Sequence, residues 1–229
     1  MTYEKERDEI CMVCQSMWIQ GWVAANDGNV SCRLDNGKIL VTPTGVSKRF
    51  ITPDMLVVAD MDGNILEYGK DNRKYSSEFK MHLRCYKDRP DVNAVVHAHP
   101  ATATGYAVAG IPLDDYSMIE TIIAIGSVPV TPFGTPSTDE VPEAIAPYLQ
   151  EHDVLLLKNH GALTVGADVI TAYYRMETLE LFAKISLNAR LLGGAEELDM
   201  DHINQLMSMR SFYKVTGKHP GYKKYSKVD

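Results

Sequence analysis

The stretch Asp91–Pro100, DVNAVVHAHP, carries a strand-like run and two of the chain's seven histidines. Its β-branched residues suit a buried strand, which Pro100 ends. Side chains of a strand alternate between faces, so His97 and His99 project to the same side. Upstream, SSEFKMHLRCYK, closed by Arg89-Pro90, is expected to be a helix capped by Ser76 or Ser77. Glu78 then falls in its first turn, where a carboxylate suits the helix dipole. Downstream, PATATGYAVAG fits a short helix with Pro100 at its first position.

Further out, Ile10, Val13, Cys14, Met17 and Trp18 follow the helical period from Glu4 to Gln20, and Gly21 supplies a stop. NVSCRL and KILVTPT flank Asp35-Asn36-Gly37, and MLVVADM and NILEY flank Asp62-Gly63, which predicts two β-hairpins. IGSVPVTPF is strand-like, and a helix is expected from about Asp139 to Gln150. DVLLLKNHGALTVG gives a strand, a turn containing Asn159-His160-Gly161, and a second strand. Helices over 167–192, closed by Gly193-Gly194, and over about 201–213 complete the pattern. The basic tail, 214–229, is expected to be mobile by itself. Hairpins mixed with helices imply a largely antiparallel sheet flanked by helices.

With 229 residues, 45% hydrophobic and 23% charged, the chain has the composition of one globular domain spanning 1–229. No linker-like run divides it. A net charge of −7 without a long basic run excludes a broad nucleic-acid or anionic-membrane face. No stretch reaches the roughly 18 apolar residues of a membrane span, and the charged start MTYEKERDEI lacks the apolar core of a signal peptide. A cytoplasmic protein with reduced cysteines is therefore expected. Cys11 and Cys14 form a CxxC, but it lies inside the first helix and is read as one half-buried face.

His160 supplies a third imidazole. If the two histidine-bearing strands are neighbours, three nitrogens converge, the arrangement that holds a catalytic zinc with an open position. HxH also occurs by chance, each ring satisfied by backbone partners, and spacing alone does not choose. Ser76, Ser77 and Glu78 at a helix start offer hydroxyls and free N–H groups to a phosphate, although Ser-Ser-Glu equally serves as plain capping. Gly28-Asn29-Val30-Ser31 and Thr42-Pro43-Thr44-Gly45 are further small polar turns able to face an anion. Lys48, in a polar SKR run, is expected to be solvated, and Lys158 to end a strand, so neither is taken as a Schiff-base lysine.

GNVS, TPTG, SSE, HAH and NHG, in this order and at these separations, resemble the class II aldolase/adducin family from about Glu4 to Tyr213. The resemblance implies a three-layer αβα fold with a central, largely antiparallel β-sheet. It implies zinc ligation by His97, His99 and His160, one ion per subunit, with Glu78 as acid/base residue that also completes the metal shell without substrate. Manganese, cobalt and iron also suit such donors. Asn29, Thr44, Gly45, Ser76 and Ser77 match the positions that bind a substrate phosphate. The resemblance further implies a homotetramer with active sites at subunit interfaces, where tyrosines assist. Tyr116 falls close to one such catalytic position, while a tail tyrosine has no clean match among Tyr213, Tyr222 and Tyr225. The implied reaction is cleavage of a ketose 1-phosphate, such as L-fuculose 1-phosphate, to dihydroxyacetone phosphate and a small aldehyde. Ribulose-5-phosphate 4-epimerases of this family resemble it closely but carry Asp where Glu78 stands; sugar-acid decarboxylases and dehydratases are further enzymatic relatives. A non-catalytic adducin-like interaction module is the alternative of another class, and the three retained histidines argue against it.

Overall fold

The computed structural model describes residues 2–219. Helix α1 (Glu4–Ile19) buries Ile10, Val13, Cys14 and Met17 along one stripe. Strands β1 (Asn29–Arg33) and β2 (Ile39–Val41) form the first expected hairpin, and β3 (Val57–Ala59) and β4 (Ile65–Glu67) the second. Gly37 and Gly63 turn these hairpins at φ 78° and 87°, a region that a β-carbon resists. There follow α2 (Phe79–Asp88), β5 (Ala94–Ala98), α3 (Ala101–Ala109), α4 (Ile119–Ala124), β6 (Val130–Thr131) and α5 (Glu140–Leu149). The hairpin of β7 (Val154–Leu157) and β8 (Gly161–Gly166), the long α6 (Val169–Leu191) and α7 (Met200–Ser208) complete the order.

All eight strands join one sheet in the order β4-β3-β2-β1-β5-β8-β7-β6, antiparallel throughout except for the parallel pair β6-β7. Alternate side chains divide between two cores. Val30, Leu40, Val58, Val96 and Leu156 pack with residues of α1, α3 and α6 on one face. Ile39, Val41, Val57, Val95 and Leu155 pack with Phe79 and Tyr86 of α2 and Ile145 of α5 on the other. The result is the expected three-layer αβα arrangement. A sheet covered on both faces also explains why β5 and β7 read as continuous apolar runs instead of alternating ones.

Several boundaries depart from expectation. Helix α2 begins at Phe79, leaving Glu78 at the N-cap instead of in the first turn. Pro100 likewise stands at the N-cap of α3. The strand expected over 125–133 shrinks to Val130–Thr131 because Pro129 and Pro132 lack the N–H that a ladder needs. Helix α7 stops at Ser208, short of Tyr213, and α4 had no periodic signal to announce it in its six residues. Of the tail expected to be mobile, 214–229, residues 220–229 lie outside the described residues. Before that point Lys218 N–H donates to Asp153 at 2.7 Å and Arg175 donates to the Thr216 carbonyl at 2.7 Å, tying the segment to the body. Cys14 is buried and Cys11 half-buried on α1. Burial pushes their thiols up to about 12 and about 11, respectively. No described helix is long and apolar enough to cross a membrane.

Candidate active site

The register of the sheet assembles the site. Strand β5 lies between β1 and β8, with His97 opposite Asn29 on one side and Leu163 on the other. Ala98 faces Ala162, so the end of β5, where His99 follows, meets the β7–β8 turn that carries His160. That turn needs Asn159 at φ 56°, a left-handed conformation that asparagine tolerates better than most residues. Gly161 is required by close approach: a β-carbon there would lie 2.4 Å from the His99 ring and 2.7 Å from the Ala98 carbonyl.

The three imidazoles converge, with centroids 4.7 Å apart for His97–His160, 5.0 Å for His97–His99 and 5.3 Å for His99–His160. One ligand atom from each lies within 4.8 Å of the others. His97 is fully buried, and its Nδ1–H donates to the Ala162 carbonyl at 2.9 Å, which leaves Nε2 as the lone-pair nitrogen. The Nε2 atoms of His97 and His99 are 3.2 Å apart. Two nitrogens on a tetrahedral ion with bonds of about 2.0–2.1 Å are separated by roughly that much. Glu78 reaches over from α2, Oε1 at 3.0 Å from His160 Nε2 and Oε2 at 3.6 Å from His97 Nε2. Asp27 stands 3.7 Å from His99 Nδ1.

Burial tends to raise the Glu78 carboxyl, but His97, His160 and the Asn29 amide outweigh it and hold the group well below the usual carboxylate range. Burial pushes His97 down to about 3 and also lowers His99, where the proximity of His160 adds to it. Neutral imidazoles beside an ionised carboxylate are the donor set that a divalent cation accepts.

A polar cleft of about 240 Å³ opens over this cluster, lined by Glu78, His99 and His160 together with Thr44, Ser76 and Ser77. Ser77 Oγ lies 2.6 Å from Ser137 Oγ, and Ser76 Oγ accepts from the Glu78 N–H at 3.3 Å. Gly45, at φ 71°, follows Thr44 at the cleft edge. A larger, mostly apolar groove of about 430 Å³ runs along α3 and α6, with Arg190 as its one charged lining residue. The side chains capable of chemistry gather at the smaller, polar cleft.

Three further residues singled out from sequence stand in defined surroundings. Asn29 is 2% exposed, and its Nδ2 donates to Glu78 Oε2 at 2.8 Å. Tyr116 packs with Ile122 and Ile203, where burial pushes its hydroxyl up to about 12. Lys48, expected in solvent, is 1% exposed, and its ammonium donates to the Asn26 and Val46 carbonyls at 3.1 Å each. It braces the loop before Asp27. Asp27, Ser137 and His82 were not singled out from sequence. His82 could have been, since it stands one helical turn after Glu78 on the same face of α2.

The family model described as the class II aldolase and adducin N-terminal domain matches residues 8–187. An L-fuculose phosphate aldolase of Methanococcus vannielii is 34% identical over 180 residues, 78% of this chain and 93% of that protein. A 3-oxo-tetronate 4-phosphate decarboxylase of Haemophilus influenzae is 32% identical over 190 residues, 81% of this chain and 88% of that protein. A solved L-fuculose 1-phosphate aldolase superposes with a TM-score of 0.84 at 27% identity, covering 93% of this chain and 99% of its own.

Proposed function

The chain belongs to the class II aldolase and adducin family, and from that membership we propose that it is a metal-dependent aldolase cleaving a ketose 1-phosphate to dihydroxyacetone phosphate and a small aldehyde. L-Fuculose 1-phosphate is the leading candidate substrate. The observation that carries this reading is the convergence of three imidazoles and one ionised carboxylate beneath a hydroxyl-lined cleft.

His97, His99 and His160 would hold the ion, one per subunit, with Glu78 reaching it in the absence of substrate. Zinc suits these donors best, ahead of manganese, cobalt and iron. When bound, such an ion supplies Lewis acidity to the substrate carbonyl while the neighbouring carbon–carbon bond breaks. As the carbon–carbon bond breaks, the hydroxyl of the departing carbon becomes the aldehyde and gives up its proton; Glu78, kept ionised by the imidazoles and amide around it, takes up that proton and delivers it to the carbon that the cleavage leaves electron-rich. Thr44, Ser76 and Ser77, with the backbone at Gly45, grip the phosphate near the start of α2, where free N–H groups favour an anion. That grip orients the reacting bond over the histidines. No lysine is needed; the Lys48 ammonium is held by two backbone carbonyls.

A homotetramer with active sites at subunit interfaces accompanies this reading, supported by exposed Leu181, Leu187 and Leu191 on α6. Tyr213 is exposed and available to a neighbour, while Tyr222 and Tyr225 lie outside the described residues. A cytoplasmic setting suits the four free cysteines. Decarboxylation of a sugar-acid phosphate is the second reading, favoured by the decarboxylase relative. The deciding experiment is dihydroxyacetone phosphate release from a panel of ketose 1-phosphates, with and without a chelator. Release that the chelator abolishes and zinc restores supports the aldolase. No release from metal-loaded protein across the panel overturns it in favour of the decarboxylase or epimerase chemistry.

A further inference from the structure

We propose that His82 is a positioning residue for Glu78, acting through Asn29 in a one-way hydrogen-bond chain that starts at Tyr86. What Glu78 does rests on the aldolase reading; the chain itself does not.

The chain is a zipper between β1 and α2. Asn29 and Ser31 are two apart on the strand and share a face; Glu78, His82 and Tyr86 are spaced by four on the helix and share a stripe. Two strand residues advance about 6.7 Å and four helix residues about 6 Å, so the two rows stay in step. Tyr86 Oη lies 2.7 Å from Ser31 Oγ, which lies 2.7 Å from His82 Nδ1. His82 Nε2 meets Asn29 Oδ1, and Asn29 Nδ2 donates to Glu78 Oε2 at 2.8 Å. Ser31 and His82 are fully buried, and Asn29 and Tyr86 are 2% exposed.

Chemistry allows one direction only. An ionised carboxylate accepts, so Asn29 turns its NH₂ to Glu78 and its carbonyl to His82. That carbonyl also only accepts, so the His82 proton is on Nε2. A buried imidazole is neutral, a state that burial favours by lowering His82 to about 4, so Nδ1 accepts from the Ser31 hydroxyl. Ser31 in turn accepts from the Tyr86 hydroxyl. Each member can satisfy its neighbour in one way, and the last bond selects which Glu78 oxygen faces Asn29 and leaves the other toward His160. A long carboxylate side chain at an N-cap is thereby held in one rotamer before substrate arrives.

The test joins a spectroscopic readout on the unaltered protein to two variants. Imidazole ¹⁵N NMR of the full chain is expected to show His82 protonated at Nε2 and bare at Nδ1; the opposite tautomer overturns the proposal. His82→Phe, which fills the volume but breaks both bonds, is expected to lower kcat by about tenfold or more with KM within about twofold and bound metal unchanged. His82→Gln, whose amide replaces the Nε2 donor, is expected to recover most of that loss. An unchanged kcat in His82→Phe, or an equal loss in His82→Gln, overturns the proposal. Should His82→Phe fail to fold, the tautomer and His82→Gln still decide. Absence of aldol cleavage in unaltered, metal-loaded protein refutes the proposed function and leaves the tautomer to judge the chain.

Discussion

At Glu78 one carboxylate faces His160 with one oxygen and Asn29 with the other, at 3.0 Å and 2.8 Å. Replacing it by Gln keeps shape and hydrogen bonding but removes the base. Glu78→Gln is expected to retain metal on the three histidines and to lose about 10²–10⁴-fold in kcat, measured by product release against metal per chain. Nearly full turnover would remove Glu78 from the reaction. His82, 4 residues on, supplies a pH prediction. Burial holds it at about 4 in the fold, against the attraction of Glu78, while the unfolded chain protonates it near 6.5. Its contribution to stability is therefore whole above pH 6.5 and is lost as pH falls from there toward 4, on the order of 3 kcal/mol in all. Urea unfolding at pH 7 and pH 4.5 is expected to show a larger drop for the unaltered protein than for His82→Phe. Equal drops would mean that His82 is already charged in the fold. The histidine triad and Glu78 were legible because their residue types and spacing carry chemistry. Asn29 was legible as a site residue, but its bond to Glu78 was not, since that bond depends on a partner 49 positions away.

The elements that hold the site are β5, β8 and the two helices that begin beside them. Gly161 opens β8 directly against His99, so Gly161→Ala forces the ring or the Ala98 carbonyl to move. Metal affinity is expected to fall about 10–100-fold with secondary structure retained, as read by competition with a chromogenic chelator; an unchanged affinity would show that His99 is not a ligand. Helix α3 leaves the sheet just after His99, and its first N–H groups, at Thr102 and Ala103, donate to the buried Glu180 carboxylate of α6 at 2.9–3.2 Å. Glu180→Ala would orphan them, at a cost of about 1–3 kcal/mol seen in the unfolding midpoint. Hairpins, long helices and β5 were readable from turn dipeptides and periodicity. Helix α4 and the truncated β6 were not: one is a single short segment, and the other is cut by flanking prolines whose effect depends on which strand they face.

Across the whole molecule, strands from both ends of the chain meet at β5, and a cation held by His97, His99 and His160 would tie β5 to the C-terminal β7–β8 pair. Because the unfolded chain has no such site, zinc at about 100 times its dissociation constant is expected to add about 2.7 kcal/mol of stability. Differential scanning fluorimetry should record a rise in Tm with zinc that a chelator reverses and that His160→Ala abolishes; the same rise in that variant would place the ion elsewhere. The sequence by itself determined the alternation of helices with antiparallel strands, the family, and the residues able to bind a metal and move a proton. Those properties are local, written in turn chemistry, hydrophobic period and the donor atoms of particular side chains. Only the tertiary structure decided that β5 lies between β1 and β8, that Lys48 is buried and Tyr116 enclosed, and that Asn29 donates to Glu78. Such facts depend on which buried polar group finds which partner across the sheet, and that choice is made by packing over tens of residues of intervening chain.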